Sequence, residues 1–579
     1  METYITRRRF GSGCFSEHCM DSFAPTWLTE PTITILLALA FVLPAILFPR
    51  RSERVLGRIE SVFSRFSAHK FLAVLFLFLF VIALRLALLS WLPIPNPGIH
   101  DEFSYLLMGD TFAHGRLANP PHPLWRSFET FHVLWFPTYA SKYPPAQGLV
   151  LALGQLLGNP WMGVLLSAAA MAAAFVWMLQ AWVPARWALL GGALAALRLC
   201  VASYWMNSYW GGAVAAIGGA LVLGAFGRMK RRPSLAMGIF LGLGVAILFN
   251  SRPYESVFFC LPVAVAMLFW LRREFRQAET RCTAFRLVVI PAGLLLLLTG
   301  GMMARYNWRV TGHAALPPYA YDARLHDRAA MFVWQTPKPA IHYDNAEMEN
   351  FYNQYERLAY DRSWATFQSV FADKWEHCSL AFLWPACWLL VPGVFFLFRD
   401  ARFRFLLITL LAVLIGYCLV VWPGPHYIAP AAAILFAALV QSIRHLRTMR
   451  IFGRPIGAAL SRAILLALVV NVSLLVSDRL GDSQGWGGWG LSDRADLLQE
   501  LQSTPGKHVV LVRYGPGHSV HEEWVFNAAD IDASRVIWVR DLPAERNDQL
   551  FRYYPDRTVW LAKPDTGEVS VLRPPLDSH

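Results

Sequence analysis

Charged residues are scarce in this chain. Asp, Glu, Lys and Arg together make up 16% of its 579 residues, whereas a soluble domain carries about a quarter. Hydrophobic residues make up 56%, and the mean hydropathy is +0.38. Apolar runs recur with roughly the 20-residue length that a helix needs to cross the hydrocarbon core of a membrane. The composition therefore excludes an ordinary soluble protein and predicts a polytopic α-helical membrane protein.

Acidic residues are also fewer than basic ones, 39 against 52, which gives a formal net charge of +13. Nucleic-acid-binding proteins show such an excess too, but their basic residues gather in one patch or stripe. Here the arginines cluster in the connections between apolar runs, which is the pattern that the positive-inside rule predicts for cytoplasmic loops. Membrane topology therefore explains the charge, and we expect no nucleic-acid partner.

The eight cysteines are too few and too scattered for a disulfide framework or a zinc pattern. Cys14 and Cys19 could pair or stay reduced in the N-terminal tail, whereas cysteines such as Cys200 and Cys387 lie in or beside apolar runs as packing residues. The Gly-rich loop that cradles nucleotide phosphates is missing as well, so we expect no nucleotide-sugar site. The sequence shows no internal repeat.

Twelve membrane spans are predicted from the apolar runs. Basic clusters in five connections fall on one face, the cytoplasmic one, only if the short apolar stretch 149–157 does not cross. One cluster, at residues 7–9, falls on the opposite face. The predicted spans cover residues 32–49, 71–92, 161–182, 187–206, 211–227, 234–250, 254–271, 287–303, 380–398, 404–421, 425–441 and 460–477.

The outer face then receives two long loops, 94–145 and 304–379, and everything after residue 478. Apolar strands at 508–512 and 536–539 and a helix that begins after Ser492 predict a small α/β fold for the C-terminal part. These features divide the chain into an N-terminal tail (1–31), a transmembrane domain (32–478) and a C-terminal extracytoplasmic domain (479–579). The asymmetry predicts that the chemistry takes place on the outer face.

Two adjacent carboxylates, Asp101 and Glu102, follow a membrane span directly. Such groups are costly at a bilayer edge unless water or a partner receives them, so they indicate a functional site. One of them could act as a general base for an attacking hydroxyl, or they could cap a helix or bind a divalent cation. Asp110, further along the loop, could join them or cap a helix.

Three side chains on the same predicted face suit a phosphate group. Lys142 ends the first loop, Arg252 lies at a later turn, and His426 precedes a late span. A guanidinium matches the geometry of phosphate, although Glu255 could simply neutralise Arg252. Lys142 could equally anchor to lipid headgroups, and His426 could belong to the interfacial aromatic belt.

Several weaker candidates accompany these residues. Substrate contacts are predicted for aromatic, acidic and amide side chains near the same turns, which an aromatic belt would explain equally well. These side chains are Tyr105, Asp110, Tyr143, Asn207 and Tyr209. In the C-terminal part, His518 and His521 lie three residues apart and could bind a metal, although surface histidines are the commoner case.

These motifs, in this order, resemble the GT-C glycosyltransferase superfamily. Four features carry the resemblance, which covers about residues 70 to 480. They are the acidic pair in the first outer loop, Lys142-Tyr143-Pro144-Pro145 at its end, the turn at Arg252-Pro253 and the turn at His426-Tyr427. The chain is similar in particular to the branch of lipid A aminoarabinose transferases and protein O-mannosyltransferases, which also carries a C-terminal extracytoplasmic domain.

The resemblance implies a sugar donor linked to polyprenyl phosphate and an inverting, single-displacement transfer at the outer side of the cytoplasmic membrane. Asp101 would be the base, with Glu102 assisting or orienting. Lys142, Arg252 and His426 would hold the donor phosphate. The acceptor could be a lipid, a glycan or a protein, and membrane lipids would surround the enzyme. No cofactor follows firmly, but a divalent cation near Asp101 and Glu102 stays open.

Two alternatives remain at this point. A lipid-polymer ligase or polymerase would use a pyrophosphate donor and an arginine-rich outer loop, and loop 304–379 does contain arginines, among them Arg305, Arg309, Arg324, Arg328 and Arg357. A polyprenyl-lipid transporter would place charges at mid-membrane on broken helices, often with inverted repeats. The sequence shows neither mid-membrane charges on broken helices nor inverted repeats, so an enzyme is favoured over a transporter.

Overall fold

The computed structural model describes residues 49–277, 282–329, 331–356, 364–383, 393, 396–450, 456–478 and 492–575. Several predictions fall outside these residues. They concern the N-terminal tail with its two cysteines, the first span up to residue 48, Cys387 and the segment that links the last span to the C-terminal part.

Helices dominate the described chain. Seven helical segments are long and apolar enough to cross a membrane, and two further apolar helices are shorter. The chain is therefore a polytopic helical membrane protein. The α-helices cover Pro49–Ala68, Lys70–Ala87, His100–Ala113, Trp125–Phe128, Pro145–Leu156, Pro160–Leu179, Ala185–Leu199, Ala213–Met229, Leu235–Ser251, Pro253–Phe275, Ile290–Thr311, Pro318–Leu325, Ala346–Glu349, Trp364–Phe382, Ala401–Leu419, Ala432–Arg447, Ile456–Asp478, Ser492–Ser503 and Ala544–Tyr553. The π-helical segments are Phe285–Val289 and Asn350–Tyr355, and the 3₁₀ segments are Pro425–Ala431 and Pro564–Thr566.

The predicted spans within the described residues coincide with helices, but twelve crossings are not established. The helices Ala185–Leu199, Ala213–Met229 and Leu235–Ser251 have only 15, 17 and 17 residues. The span predicted at 380–398 lies partly outside the described residues. The stretch 149–157 lies mostly in a helix of 12 residues, which is too short to cross a core of about 30 Å, as predicted.

This short helix, Pro145–Leu156, packs tightly against Pro160–Leu179. A Cβ atom added at Gly163 would collide with the backbone carbonyl of Val150, and one at Gly154 would lie 3.0 Å from the carbonyl oxygen of Asn159. Glycine allows the two backbones to approach this closely, as small residues do at helix contacts inside membranes. The contact fixes the position of the short helix, which begins three residues after Lys142.

Six strands occur in the described residues. Two short antiparallel strands, β1 (Val133–Leu134) and β2 (Ala140–Ser141), lie in loop 94–145. Four others form one sheet in the C-terminal part, in the order β4-β3-β5-β6. Strand β3 is parallel to β4 and β5, and β6 is antiparallel to β5. The four strands are β3 (Lys507–Val512), β4 (Val536–Arg540), β5 (Arg557–Lys563) and β6 (Glu568–Arg573).

The C-terminal sheet packs on loop 94–145. Apolar side chains of the loop, Leu107 and Phe128 among them, share one buried cluster with Val509 and Ile537 of the sheet. The rings of Phe103 and Phe526 stack with their centroids 4.3 Å apart. Burial of this apolar surface stabilises the contact. The C-terminal part is therefore held against the loop that carries the acidic pair.

Candidate functional site

The helix His100–Ala113 begins at the acidic pair, and Glu102 stabilises its start. One carboxylate oxygen of Glu102 accepts hydrogen bonds from the backbone N–H groups of Gly98 at 2.8 Å and Ile99 at 3.2 Å. The other accepts from the N–H of Tyr209 at 2.9 Å. Burial raises the pKa of Glu102 to about 7, although these three donors oppose the rise. Glu102 thus caps the helix and joins it to the turn around residue 209.

Asp101 has different surroundings. Its side chain is 17% exposed, whereas Glu102 is only 5% exposed. One oxygen lies 3.1 Å from Nδ1 of His100, and the other accepts a hydrogen bond from the Tyr143 hydroxyl. Burial alone would raise the pKa of Asp101, but the contacts with His100 and the nearby His132 outweigh it and hold the pKa well below its usual range. Asp101 is therefore the ionised and more exposed carboxylate of the pair.

Tyr105 marks the point where the predicted site residues meet. Its ring stacks on that of Tyr143, with centroids 4.4 Å apart. Burial raises the pKa of Tyr105 to about 12, and the charges of Arg252, Asp101, Glu255 and Lys142 also act on its hydroxyl. The fold therefore brings two acids and two cations, from three segments of the sequence, near one tyrosine.

Lys142 is buried, and its charge is already paired. Nζ lies 3.2 Å from Oδ2 of Asp322, whose other oxygen lies 2.8 Å from Nδ1 of His326. It also lies over the ring of Tyr319, at 5.2 Å from the centroid. Burial alone would lower the pKa of Lys142, but the negative charge of Asp322, assisted by Asp327, raises it above its ordinary value. Lys142 is therefore a firmly protonated cation with a carboxylate partner.

Arg252 lies between the helices Leu235–Ser251 and Pro253–Phe275. Its guanidinium carbon lies over the ring of Tyr427, at 5.0 Å from the centroid. Among the described residues, no hydrogen bond or ion pair from the guanidinium is found, and Glu255 acts on it only through its charge. Arg252 thus has donors left for an anionic ligand.

His426 is buried in an aromatic box beside Arg252. Its Nδ1 lies 3.2 Å from the Tyr204 hydroxyl. The ring is 4.6 Å from that of Trp210 and 4.8 Å from that of Tyr427, measured between centroids. Tyr427 therefore connects His426 with Arg252. This position is compatible with a phosphate contact through Nε2 and equally with packing.

In three of the weaker candidates, the polar side-chain atoms form hydrogen bonds within the protein. Asp110 accepts from Gln155 and from the backbone N–H of Ala529, both at 2.7 Å. The amide of Asn207 donates to two backbone carbonyls and accepts from Arg85. The Tyr209 hydroxyl donates to the carbonyl of Pro95 at 3.0 Å. These contacts favour loop and interface geometry over the substrate contact that the sequence predicted, whereas Tyr105 and Tyr143 lie beside Asp101.

The two C-terminal histidines have different surroundings. Nδ1 of His518 lies 2.9 Å from Asp565. His521 instead lies beside His100, with ring centroids 5.8 Å apart, and beside Tyr355. The C-terminal part therefore contributes an imidazole to the neighbourhood of Asp101, and the contacts do not support the alternative in which both histidines bind one metal.

No known family profile matches the sequence, and a comparison with curated proteins finds no match. Among solved structures, ArnT from Cupriavidus metallidurans bound to undecaprenyl phosphate is similar over 84% of this chain and 92% of its own, with a TM-score of 0.45 and 12% identity. An Archaeoglobus fulgidus oligosaccharyltransferase, tethered with an acceptor peptide, is similar over 76% of this chain, with a TM-score of 0.44 and 12% identity. The match spans 61% of that archaeal chain. These structural neighbours are GT-C glycosyltransferases, the superfamily that the loop motifs resemble.

Sequence reasoning missed Asp322 and His132. In loop 304–379, Asp322 precedes His326 by four residues and Asp327 by five. Titratable residues this close together in the sequence were a visible indication of a charged site. His132 had no such signal. It lies beside the site because β1 pairs with β2, which places His132 next to the segment that carries Lys142.

Proposed function

We propose that this chain is a membrane glycosyltransferase. It moves a sugar from a polyprenyl-phosphate donor to an acceptor hydroxyl at the outer face of the cytoplasmic membrane. One arrangement carries the proposal: Asp101 accepts a hydrogen bond from the Tyr143 hydroxyl, and Nζ of Lys142 lies 5.8 Å from the centroid of the same ring. The Tyr143 ring stacks on that of Tyr105, on whose hydroxyl the charge of Arg252 also acts. A base for an alcohol and positive charge for a phosphate are the two groups that such a transfer requires.

The proposed reaction is a single displacement. The acceptor oxygen attacks the anomeric carbon of the sugar, the bond from that carbon to the phosphate oxygen breaks, and polyprenyl phosphate leaves with the bonding electron pair. The Asp101 carboxylate takes the proton of the acceptor hydroxyl. Attack on the side opposite the leaving group inverts the configuration at the anomeric carbon.

Negative charge that develops on the leaving phosphate needs a preorganised cation. Arg252 suits this role, because its guanidinium can form two parallel hydrogen bonds to a phosphate and has no hydrogen-bond or ion-pair partner among the described residues. Lys142 differs, since the donor phosphate must share its three N–H donors with Asp322. His426 and Arg252 both contact the ring of Tyr427, so His426 would contribute at the edge of the proposed phosphate site.

The prenyl chain of the donor needs an apolar surface near these cations. The helix that follows Lys142 presents Leu149, Leu153 and Leu156 with 57%, 50% and 70% of their surface exposed. Residues at this spacing line one face of a helix. An apolar helix face that starts at the phosphate-binding lysine suits a helix lying at the membrane interface beside a lipid substrate.

The ligase alternative gains no support from the described part of loop 304–379. A pyrophosphate donor would call for several arginines directed at the site. Instead Arg305, Arg309 and Arg324 are exposed, and Arg328 donates to the backbone carbonyls of Lys338 and Asn353. The transferase therefore remains the function that these contacts support best.

Mass spectrometry of cell-envelope glycolipids and glycoproteins, with and without the protein, tests the proposal. We expect one envelope species to lose a sugar in cells that lack the protein and the polyprenyl-phosphate sugar to accumulate. Re-expression of the wild-type chain should restore the species. An unchanged envelope and donor pool would contradict the proposal, and accumulation of a polyprenyl-pyrophosphate glycan would indicate the ligase.

Replacing Arg252 should impair donor use without unfolding the protein. We expect Arg252→Ala to raise the donor KM at least about tenfold, because truncating one member of a charged contact costs a few kcal/mol. The melting temperature in detergent should stay close to that of the wild type, since the guanidinium makes no ion pair with a described residue. Arg276→Ala, which removes an exposed arginine at the other end of the helix Pro253–Phe275, is the matched control. An unchanged donor KM in Arg252→Ala would remove this residue from the phosphate site.

A further inference from the structure

Two imidazoles and a carboxylate form a compact cluster at the start of the helix His100–Ala113. His100, Asp101 and His132 each offer one ligand atom, and these atoms lie within 4.8 Å of one another. The two histidine rings lie 4.5 Å apart between centroids, at an angle of 85°. His100 is 5% exposed and His132 is 6% exposed. The cluster is thus an enclosed set of good metal ligands.

Each imidazole in the cluster has a ring nitrogen without a partner. Nε2 of His100 and Nδ1 of His132 are both buried and lack a hydrogen bond to any described residue. A buried polar atom without a partner costs about 1–3 kcal/mol, so one such nitrogen on each of two neighbouring imidazoles indicates a ligand site. The Asp101 carboxylate lies 3.1 Å from Nδ1 of His100, and its negative charge favours a cation over an anion.

The backbone at His132 is held in a costly conformation. Its φ of +61° is the only positive value at a non-glycine residue in the described chain. Such a conformation costs on the order of 1–3 kcal/mol and persists only where neighbouring contacts impose it. The His132 carbonyl accepts from the Ser104 hydroxyl at 2.7 Å and from the Lys142 N–H at 3.3 Å. These bonds hold the strained residue, and with it the imidazole, beside His100.

We propose that His100, Asp101 and His132 bind one divalent transition-metal ion with the preferences of Zn²⁺. Two imidazoles and a carboxylate form a donor set that zinc accepts, and three protein ligands leave one coordination position open. Mg²⁺ and Ca²⁺ prefer sets made of oxygen ligands. Metal–ligand bonds of about 2.1 Å place tetrahedral ligands about 3.4 Å apart, so the atoms would close in by roughly 1 Å on binding.

An aromatic shell encloses the proposed metal site. The ring of Phe351, from loop 304–379, lies 5.1 Å from that of His100 and 5.7 Å from that of His132, measured between centroids. Phe131 lies 5.5 Å from His100, and His521 of the C-terminal part lies beside it. An apolar shell limits water access and strengthens metal–ligand contacts. Metal binding at this site goes beyond the proposed function, with which it shares Asp101, and it can be measured without an assay of sugar transfer.

Metal titration of the purified full-length protein tests the proposal. After chelator treatment, we expect one Zn²⁺ per chain by calorimetry, and Co²⁺ should give the visible absorption bands of a four-coordinate site. His100→Ala and His132→Ala should each weaken Zn²⁺ binding at least tenfold, because even residues that only support metal ligands contribute about 10- to 100-fold. His518→Ala, which removes an imidazole paired with Asp565, is the control and should bind as the wild type does.

Two results would overturn the metal site. One is a wild-type protein that takes up no stoichiometric Zn²⁺ or Co²⁺ after chelation. The other is a folded His132→Ala or His132→Gln variant, verified by gel filtration and melting temperature, that keeps wild-type affinity. The wild-type titration does not depend on the folding of any variant. A protein that binds one ion while the envelope glycans stay unchanged would refute the transferase proposal alone.

Discussion

Transfer should be lost when Asp101 becomes asparagine, with a rate at least about 100-fold below that of the wild type, since general-base catalysis typically contributes 10²–10⁴-fold. An amide cannot accept the proton of the attacking hydroxyl. Asparagine has nearly the same shape and can still receive the hydrogen bond from Tyr143, so we expect Asp101→Asn to insert and fold normally. The measurement is sugar transfer from a polyprenyl-phosphate donor in membranes that contain equal amounts of each protein.

The control for this experiment is Asp496→Asn, which makes the same chemical change at an exposed position of the helix Ser492–Ser503. Transfer at the wild-type rate in Asp101→Asn membranes would remove Asp101 as the base. His132→Ala separates the base from the proposed metal, because it removes a metal ligand and keeps the carboxylate. A loss of transfer in His132→Ala that equals the loss in Asp101→Asn would assign the whole effect to the metal.

Lys142→Ala should lower the stability of the folded protein and also impair sugar transfer. Removing Lys142 leaves the fully buried Asp322 carboxylate without its cation, and breaking a buried pair costs about 3–5 kcal/mol. The melting temperature in detergent should therefore fall markedly. A double variant, Lys142→Ala with Asp322→Asn, should recover most of the stability, because no unpaired charge is left.

Donor use should not recover in that double variant, since the proposed phosphate ligand is still missing. The donor KM, measured beside the melting temperature, distinguishes the two roles of Lys142. Asp322→Asn alone is the matched control for the second substitution, because it keeps the cation and removes its partner. A double variant that transfers sugar as well as the wild type would show that Lys142 is only the structural partner of Asp322.

The pair of Lys142 and Asp322 also bears on how the long loops work together. Asp322 lies on the helix Pro318–Leu325, and its other oxygen pairs with His326 of the same loop. A donor phosphate that draws Lys142 toward itself weakens the contact between the two loops. Loop 304–379 therefore contacts Lys142, the proposed phosphate ligand, through the buried ion pair with Asp322 and through the ring of Tyr319.

The sequence by itself determined the membrane character of this protein and the order of its helical segments. Apolar runs and turn residues act over a few neighbouring positions, so hydropathy locates helices such as Pro160–Leu179 and the strands β3 and β4. The same local reasoning selected Asp101 and Arg252, because a charge beside an apolar run is visible without a structure.

Only the tertiary structure decided what each charged residue contacts. In the folded chain, Glu102 accepts hydrogen bonds from three backbone N–H groups. Lys142 pairs with a buried carboxylate of another loop, and His132 lies beside His100. Asp110 accepts a hydrogen bond from the backbone N–H of Ala529 and so connects the first loop to the C-terminal part. These partners lie far apart in the chain, and electrostatic and hydrogen-bond contacts depend on distance in space. No local pattern records that distance, and for this reason the pairing of charges emerged only from the folded chain.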